Sequence, residues 1–113
     1  MDADSAPGVP GGTIAIEVEG DQRVLVLRGT VDTAEATHFR AAHGRDRQVV
    51  DAIDAGSVTF ISSSGLSLMV MYLEAAAAAA GRRPVLRSAS PTVNHVLRSA
   101  GLDALFPRSG PAA

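Results

Sequence analysis

The chain has 113 residues, a formal net charge of −2 and no cysteine. That length suits one compact unit, and the lack of thiols excludes disulfide frameworks, thiolate metal sites and cysteine nucleophiles. All 10 basic side chains are arginine, Trp is absent and Tyr occurs once, so the basic stripe or stacking aromatics of a nucleic-acid binder are missing.

No uncharged apolar stretch approaches the ~20 residues of a bilayer span, so no membrane partner is expected. Residues 1–12 are rich in Gly, Pro and Ala, with Asp2 and Asp4 and no basic side chain. They are not a signal peptide and read as a mobile tail. A cytoplasmic protein is expected.

Thr13 to Glu19 places Ile14, Ile16 and Val18 on one face, which suits an edge strand. Gly20-Asp21 supplies a turn, and Arg23 to Leu27, apolar from Val24 on, reads as a second strand buried on both faces. Asp32-Thr33-Ala34-Glu35 resembles a capping box and opens a helix that carries Ala36 and Phe39 inward and stops near Gly44. Gln48 to Ile53 reads as a strand, Asp54-Ala55-Gly56-Ser57 as a turn, and Val58 to Ile61 as an extended lead into Ser62-Ser63-Ser64-Gly65.

From there the longest helix runs to Ala80, ended by Gly81 in a left-handed cap. Leu66, Met69, Val70 and Leu73 fall at i, i+3, i+4 and i+7 and form its core stripe. The run Ala75 to Ala80 is expected to pack closely on the sheet. Val85 to Arg87 is a short strand. Ser90-Pro91 starts a third helix with Val93, Val96, Leu97 and Ala100 inward, stopped by Gly101. Leu105-Phe106 packs back on the body, and residues 107–113 read as a second flexible tail. The order β-β-α-β-α-β-α predicts a single α/β domain over residues 13–106, with parallel strand pairs and one antiparallel neighbour in a mixed β-sheet.

His38 and His43 lie five residues apart, neither i+3 nor i+4, His95 is on another helix and no cysteine joins them, so neither a metal nor another cofactor is expected. The serine cluster is more informative. One of its serines must cap the helix. A hydrolase nucleophile elbow needs glycine two residues before and after the serine, which neither Ser63 nor Ser64 has. A phosphate-binding loop needs a Gly-x-x-x-x-Gly-Lys run, and the chain has no lysine. What remains is a serine hydroxyl at a helix start, within reach of a partner. A phosphate there meets free N–H groups and the positive end of the helix dipole, while bringing about −1.5 to −2 charges to any interface.

Val49 to Asp54, followed by Ala55-Gly56-Ser57-Val58-Thr59-Phe60-Ile61-Ser62-Ser63-Ser64-Gly65-Leu66, resembles the STAS family of sulfate transporters and anti-sigma factor antagonists. Arg28 to Asp32 resembles that family's second-strand exit, and Gly101-Leu102 with Leu105-Phe106 its C-terminal signature.

The resemblance implies a non-enzymatic antagonist that binds an anti-sigma factor of the serine-kinase type and so frees a sigma factor to act in transcription. Phosphorylation of the serine before the glycine, here Ser64 with Ser63 as second choice, would switch binding off, and a phosphatase would restore it. Asp32 matches a family acidic position near the phosphosite. Ser62 stands where phospho-switch antagonists often carry Asp. The expected partner surface comprises Asp32, Thr33, Ser62, Ser63, Ser64 and Gly65. Leu68 and Tyr72, one helical turn apart, are either exposed partner contacts or part of a wide core stripe. Two other functions compete: a STAS subunit of a larger assembly, such as a lipid-transport ATPase complex or a stress-signalling particle, and a small nucleotide hydrolase. No acid–base pair or nucleophile triad supports the hydrolase.

Overall fold

A computed structural model of the chain describes residues 12–43 and 48–108. Strand β1 (Thr13–Glu19) pairs antiparallel with β2 (Gln22–Val31) through the Gly20-Asp21 turn. Helix α1 (Thr33–His43) leads to β3 (Ala52–Ile61), which pairs parallel with β2. Helix α2 (Ser63–Ala80) then returns the chain to β4 (Val85–Ala89), parallel to β3. Helix α3 (Pro91–Ser99) and a short 3-10 turn (Asp103–Leu105) complete the fold, and the sheet order is β1-β2-β3-β4. The predicted element order is the observed one. The end of α1 expected near Gly44 lies outside the described residues.

Strand β3 departs from expectation, because the turn placed at Asp54 to Ser57 lies inside one 10-residue strand. Val26 pairs with Asp54 but Arg28 with Ser57, so β3 carries one extra residue there. The Asp54 carboxylate accepts a hydrogen bond from the Gly56 N–H at 3.1 Å. Such a local bond would reverse a free chain. Here β2 and β4 hold both flanks, and it makes a bulge instead. Gln48 to Asp51 precede the strand, although the Asp51 N–H already donates to the Arg23 carbonyl at 2.8 Å.

One sheet face carries the core. Leu25, Leu27, Val31, Ile53, Ala55, Val58, Ile61 and Leu86 pack with Phe39 of α1, four α2 side chains, Val93 and Leu97 of α3, and Phe106. The opposite face holds only a small cluster of Val24, Val26 and Ala52. Strand β2 is therefore buried on both faces as expected, but helices cover only one. On the other, charged side chains share the face with the cluster: Arg87 bonds both Glu19 (2.7 Å) and Asp54 (3.0 Å), and Arg28 bonds Glu17 (3.2 Å). Arginine stems can shelter apolar surface while their heads stay wet.

By length and composition α2 could cross a bilayer, with 18 residues at mean hydropathy 1.3, yet its Leu68, Met69, Tyr72 and Leu73 are in the core. Gly81 ends it at φ 74° as expected. Of the alanine run only Ala76 is buried, and Ala78 to Ala80 are exposed, so the last turn runs beyond the core. Ala100, expected inward, is the exposed cap residue of α3. After it Leu102 N–H bonds the Leu97 carbonyl and Gly101 N–H the Arg98 carbonyl, a complete Schellman motif. Two tail boundaries also move. Gly12 is buried. The Pro107 carbonyl accepts from Leu86 N–H at 2.6 Å, and Arg108 bridges to Leu86, so residues 107 and 108 extend the β4 edge.

Candidate functional site

Strands β2 and β3 end side by side, Val31 opposite Ile61, and each runs directly into a helix. The Ser62 N–H donates to the Val31 carbonyl at 2.8 Å and ties the two exits together. The result is two helix N-termini on one edge of the sheet.

Each start is capped by its own sequence. The Asp32 carboxylate accepts from Glu35 N–H at 2.9 Å, and its carbonyl from Ala36 N–H at 3.1 Å. The Ser62 hydroxyl accepts from Gly65 N–H at 3.1 Å, and its carbonyl from Leu66 N–H at 2.9 Å. Ser62 is thus the capping serine, in extended backbone at φ −81° and ψ 169°. The position that often carries Asp in the resemblance keeps its local task with a neutral hydroxyl, since Ser and Asp are comparable caps.

Ser63 and Ser64 follow as the first two helical residues, Ser63 exposed and Ser64 half-buried. Helix geometry leaves their N–H groups without intrahelical acceptors. Gly65 comes next because nothing larger fits: a β-carbon there would lie 2.8 Å from Val31 Cγ1 and 3.0 Å from Ile61 Cγ1. The first turn of α2 is pressed against the two strand ends.

Asp32, Thr33, Ser62, Ser63 and Ser64 are therefore brought to one edge. Three other expected contacts are not at the surface. Gly65 is buried and serves packing. Leu68 and Tyr72 are each 1% exposed, and the Tyr72 ring centroid lies 6.0 Å from that of Phe39 in α1. The exposed-contact alternative is corrected for both. Helix α2 is covered by α1 as well as by the sheet, so its apolar face is wider than the stripe the heptad spacing marks.

Sequence reasoning missed Phe60 as a surface residue. It is 50% exposed, pairs in register with Thr30, and precedes the core-facing Ile61. The signal was strand alternation, since a neighbour of a buried strand residue points to the other face. Residues 29–36, 58–66 and 90–94, which hold the strand exits and helix starts, contain Asp32 and Glu35 and no Arg, Lys or His.

A four-stranded mixed sheet with its helices on one face, and two capped helix starts sharing an edge, define a small two-layer α/β domain with one pre-formed surface. The profile of the family described as Mlab, STAS domain matches residues 14–107, and the chain belongs to that STAS family. Among solved structures, that of the anti-sigma factor antagonist SpoIIAA in its unphosphorylated form is similar, with a TM-score of 0.61 at 23% identity. The alignment covers 87% of this chain and 89% of that one, and the likeness is one of fold. A search of curated proteins gave no match.

Proposed function

We propose that this domain is an anti-sigma factor antagonist. It binds an anti-sigma factor of the serine-kinase type in the cytoplasm and thereby releases a sigma factor. Phosphorylation of Ser64 switches binding off, and a phosphatase restores it. The domain acts as a binding module rather than an enzyme.

The observation that carries this reading is the place of Ser64, in the first turn of α2, on the edge that also holds Asp32 and Thr33. A phosphate at a helix N-terminus is stabilised by about 0.3–1 kcal/mol at an exposed site, so the fold tolerates it. Against a partner surface fitted to a neutral hydroxyl, its charge of about −1.5 to −2 is unpaired and costs far more. The modification is then mild for folding and decisive for binding. The test is capture from native lysate with wild-type and Ser64→Asp baits. Recovery of an anti-sigma kinase by wild type alone supports the switch, whereas equal recovery by both baits refutes it.

A second reading is a STAS subunit of a larger assembly, such as a lipid-transport ATPase complex, that binds without a phospho-switch. Ser62 favours it, because the cap is neutral where phospho-switch antagonists often carry Asp. A stable complex recovered by both baits supports that reading.

A further inference from the structure

The two edges of the sheet are finished differently. Strand β4 has 5 residues, and a later stretch of chain lies against it: the Leu86 N–H donates to the Pro107 carbonyl, and Leu86 bridges to Arg108. Strand β1 is the other edge, with 7 residues, and among the described residues its strand neighbour is β2 alone. Natural sheets blunt such an edge with proline, lysine, a bulge or an inward-pointing charge. Thr13-Ile14-Ala15-Ile16-Glu17-Val18-Glu19 carries none of these. Its pairing with β2 is unbroken, and Ile14 and Ile16 pack on the core, with Val18 on the same face by alternation.

The backbone groups that β1 aims outward follow from the hairpin. Glu19 and Gln22 close a two-residue turn, and such a closing pair is hydrogen-bonded. Hydrogen-bonded pairs recur at every second residue. Glu17, Ala15 and Thr13 therefore also bond β2, while Ile14, Ile16 and Val18 turn their N–H and C=O groups away from it.

We propose that β1 is a self-association surface, on which a second copy of this chain docks its own β1 antiparallel, centred on Ile16. In that register Ile16 faces the second copy's Ile16, Ile14 faces its Val18, Ala15 its Glu17 and Thr13 its Glu19. Three observations carry it. The residues that aim their backbone outward are the ones this register joins, through about six hydrogen bonds. Centring on Glu17 instead would set two carboxylates face to face, and centring on Ala15 would leave Val18 opposite Gly12, outside the strand. Charge is also compatible, because Glu17 and Glu19 face neutral side chains and are already bonded to Arg28 at 3.2 Å and Arg87 at 2.7 Å within their own copy. Finally, Val18 is 71% exposed in the single chain. The pairing sets it beside the second copy's Ile14, at the mouth of a groove of about 300 Å³ between β1 and α1 that Ile14, Phe39 and Ala42 help to line.

The association is independent of the Ser64 switch. The two β2 strands then run antiparallel, so the serine edges point to opposite ends of the joined sheet and both stay open.

The experiment is sedimentation of the full chain from about 1 μM to about 1 mM, the range of weak to moderate association. The mass is expected to rise from one chain to two. Val18→Pro removes an outward N–H that an edge strand can spare, and Val18→Glu keeps every backbone donor while placing a charge against Ile14. Each should weaken association at least about 10-fold, with melting temperatures confirming the fold; if the proline variant does not fold, the glutamate variant decides. The register is read separately. The chain has no cysteine, so Asp21→Cys accepts a single nitroxide label in the turn. Position 21 lies five residues beyond Ile16 in each copy, which puts the two labels roughly 34 Å apart. A single-chain mass at every concentration, unchanged association of a folded Val18 variant, or a label separation more than about 10 Å from that value would each overturn the proposal.

Discussion

The Ser62 hydroxyl accepts a hydrogen bond from the Gly65 N–H at 3.1 Å, so the residue that departs from the frequent family pattern is also the one that starts α2. Removing the oxygen should cost about 0.5–2 kcal/mol, the usual range for a lost N-cap. Ser62→Ala is therefore expected to lower the urea midpoint, while Ser62→Asp should hold it or raise it slightly by adding negative charge at the helix start. A Ser62→Ala protein as stable as wild type would mean that water replaces the cap at no cost.

Gly65 makes a sharper case. A β-carbon there would crowd both Val31 and Ile61, at 2.8 Å and 3.0 Å, and these are the ends of the two strands that carry the site. Gly65→Ala should cost about 1–3 kcal/mol as overpacking, although alanine favours helix in isolation. Shortening the opposing side chain should relieve part of the strain. In a double-mutant cycle with Val31→Ala the two changes are expected to cost less together than their sum. Simple additivity would show that the crowding is absorbed elsewhere.

The element order was legible because each helix announces itself chemically. Ser90-Pro91, Gly81 and the Asp32 cap act through bonds within a few residues, and the structure places them as read. What stayed hidden depended on partners far along the chain. Asp54 to Ser57 carries turn chemistry, and only pairing on both sides by β2 and β4 makes it a bulge. Leu68 and Tyr72 could be exposed or buried on helical spacing alone, and the covering by α1 decided the matter. The serine edge was legible as a helix start, but the proximity of Asp32 to it follows from the parallel pairing of Val31 with Ile61, which local patterning does not encode. Phe60 was visible only through the parity of a strand whose bulge interrupts the count.

The burial of Leu68 gives a prediction that separates packing from docking. Leu68→Ala leaves a cavity between α1, α2 and the sheet, and truncations of this kind cost about 2–5 kcal/mol. A drop of that size in unfolding free energy is expected, with the affinity of the remaining folded protein for its partner unchanged. Near-native stability combined with lost binding would instead place Leu68 at the interface.

Acid should weaken the fold through two carboxylates at the ends of strand contacts. The Arg23 N–H holds the Asp51 carboxyl below its ordinary range, with Arg82 adding to the effect. For Asp54, burial works in the opposite direction, and the bonds from Gly56 N–H and Arg87 outweigh it, so its pKa is also lowered. A depressed folded-state pKa means that the unfolded chain binds protons first as pH falls. The stabilisation is therefore fully present above the unfolded value of about 4 and is lost as pH drops through that value toward the folded one. Asp51 joins the start of β2 to the Arg82 turn ahead of β4, with the bonds at 2.9 Å and 3.0 Å, so its protonation loosens both strands together. Urea midpoints measured from pH 7 to pH 3 should stay level with respect to these groups down to about pH 5 and then decline. Asp51→Asn should start from a lower midpoint at pH 7 and show a shallower acid decline, because the group that titrates is gone. An equally steep decline in that variant would assign the acid sensitivity to the Arg87 network on the open sheet face, which Asp54→Asn would then flatten.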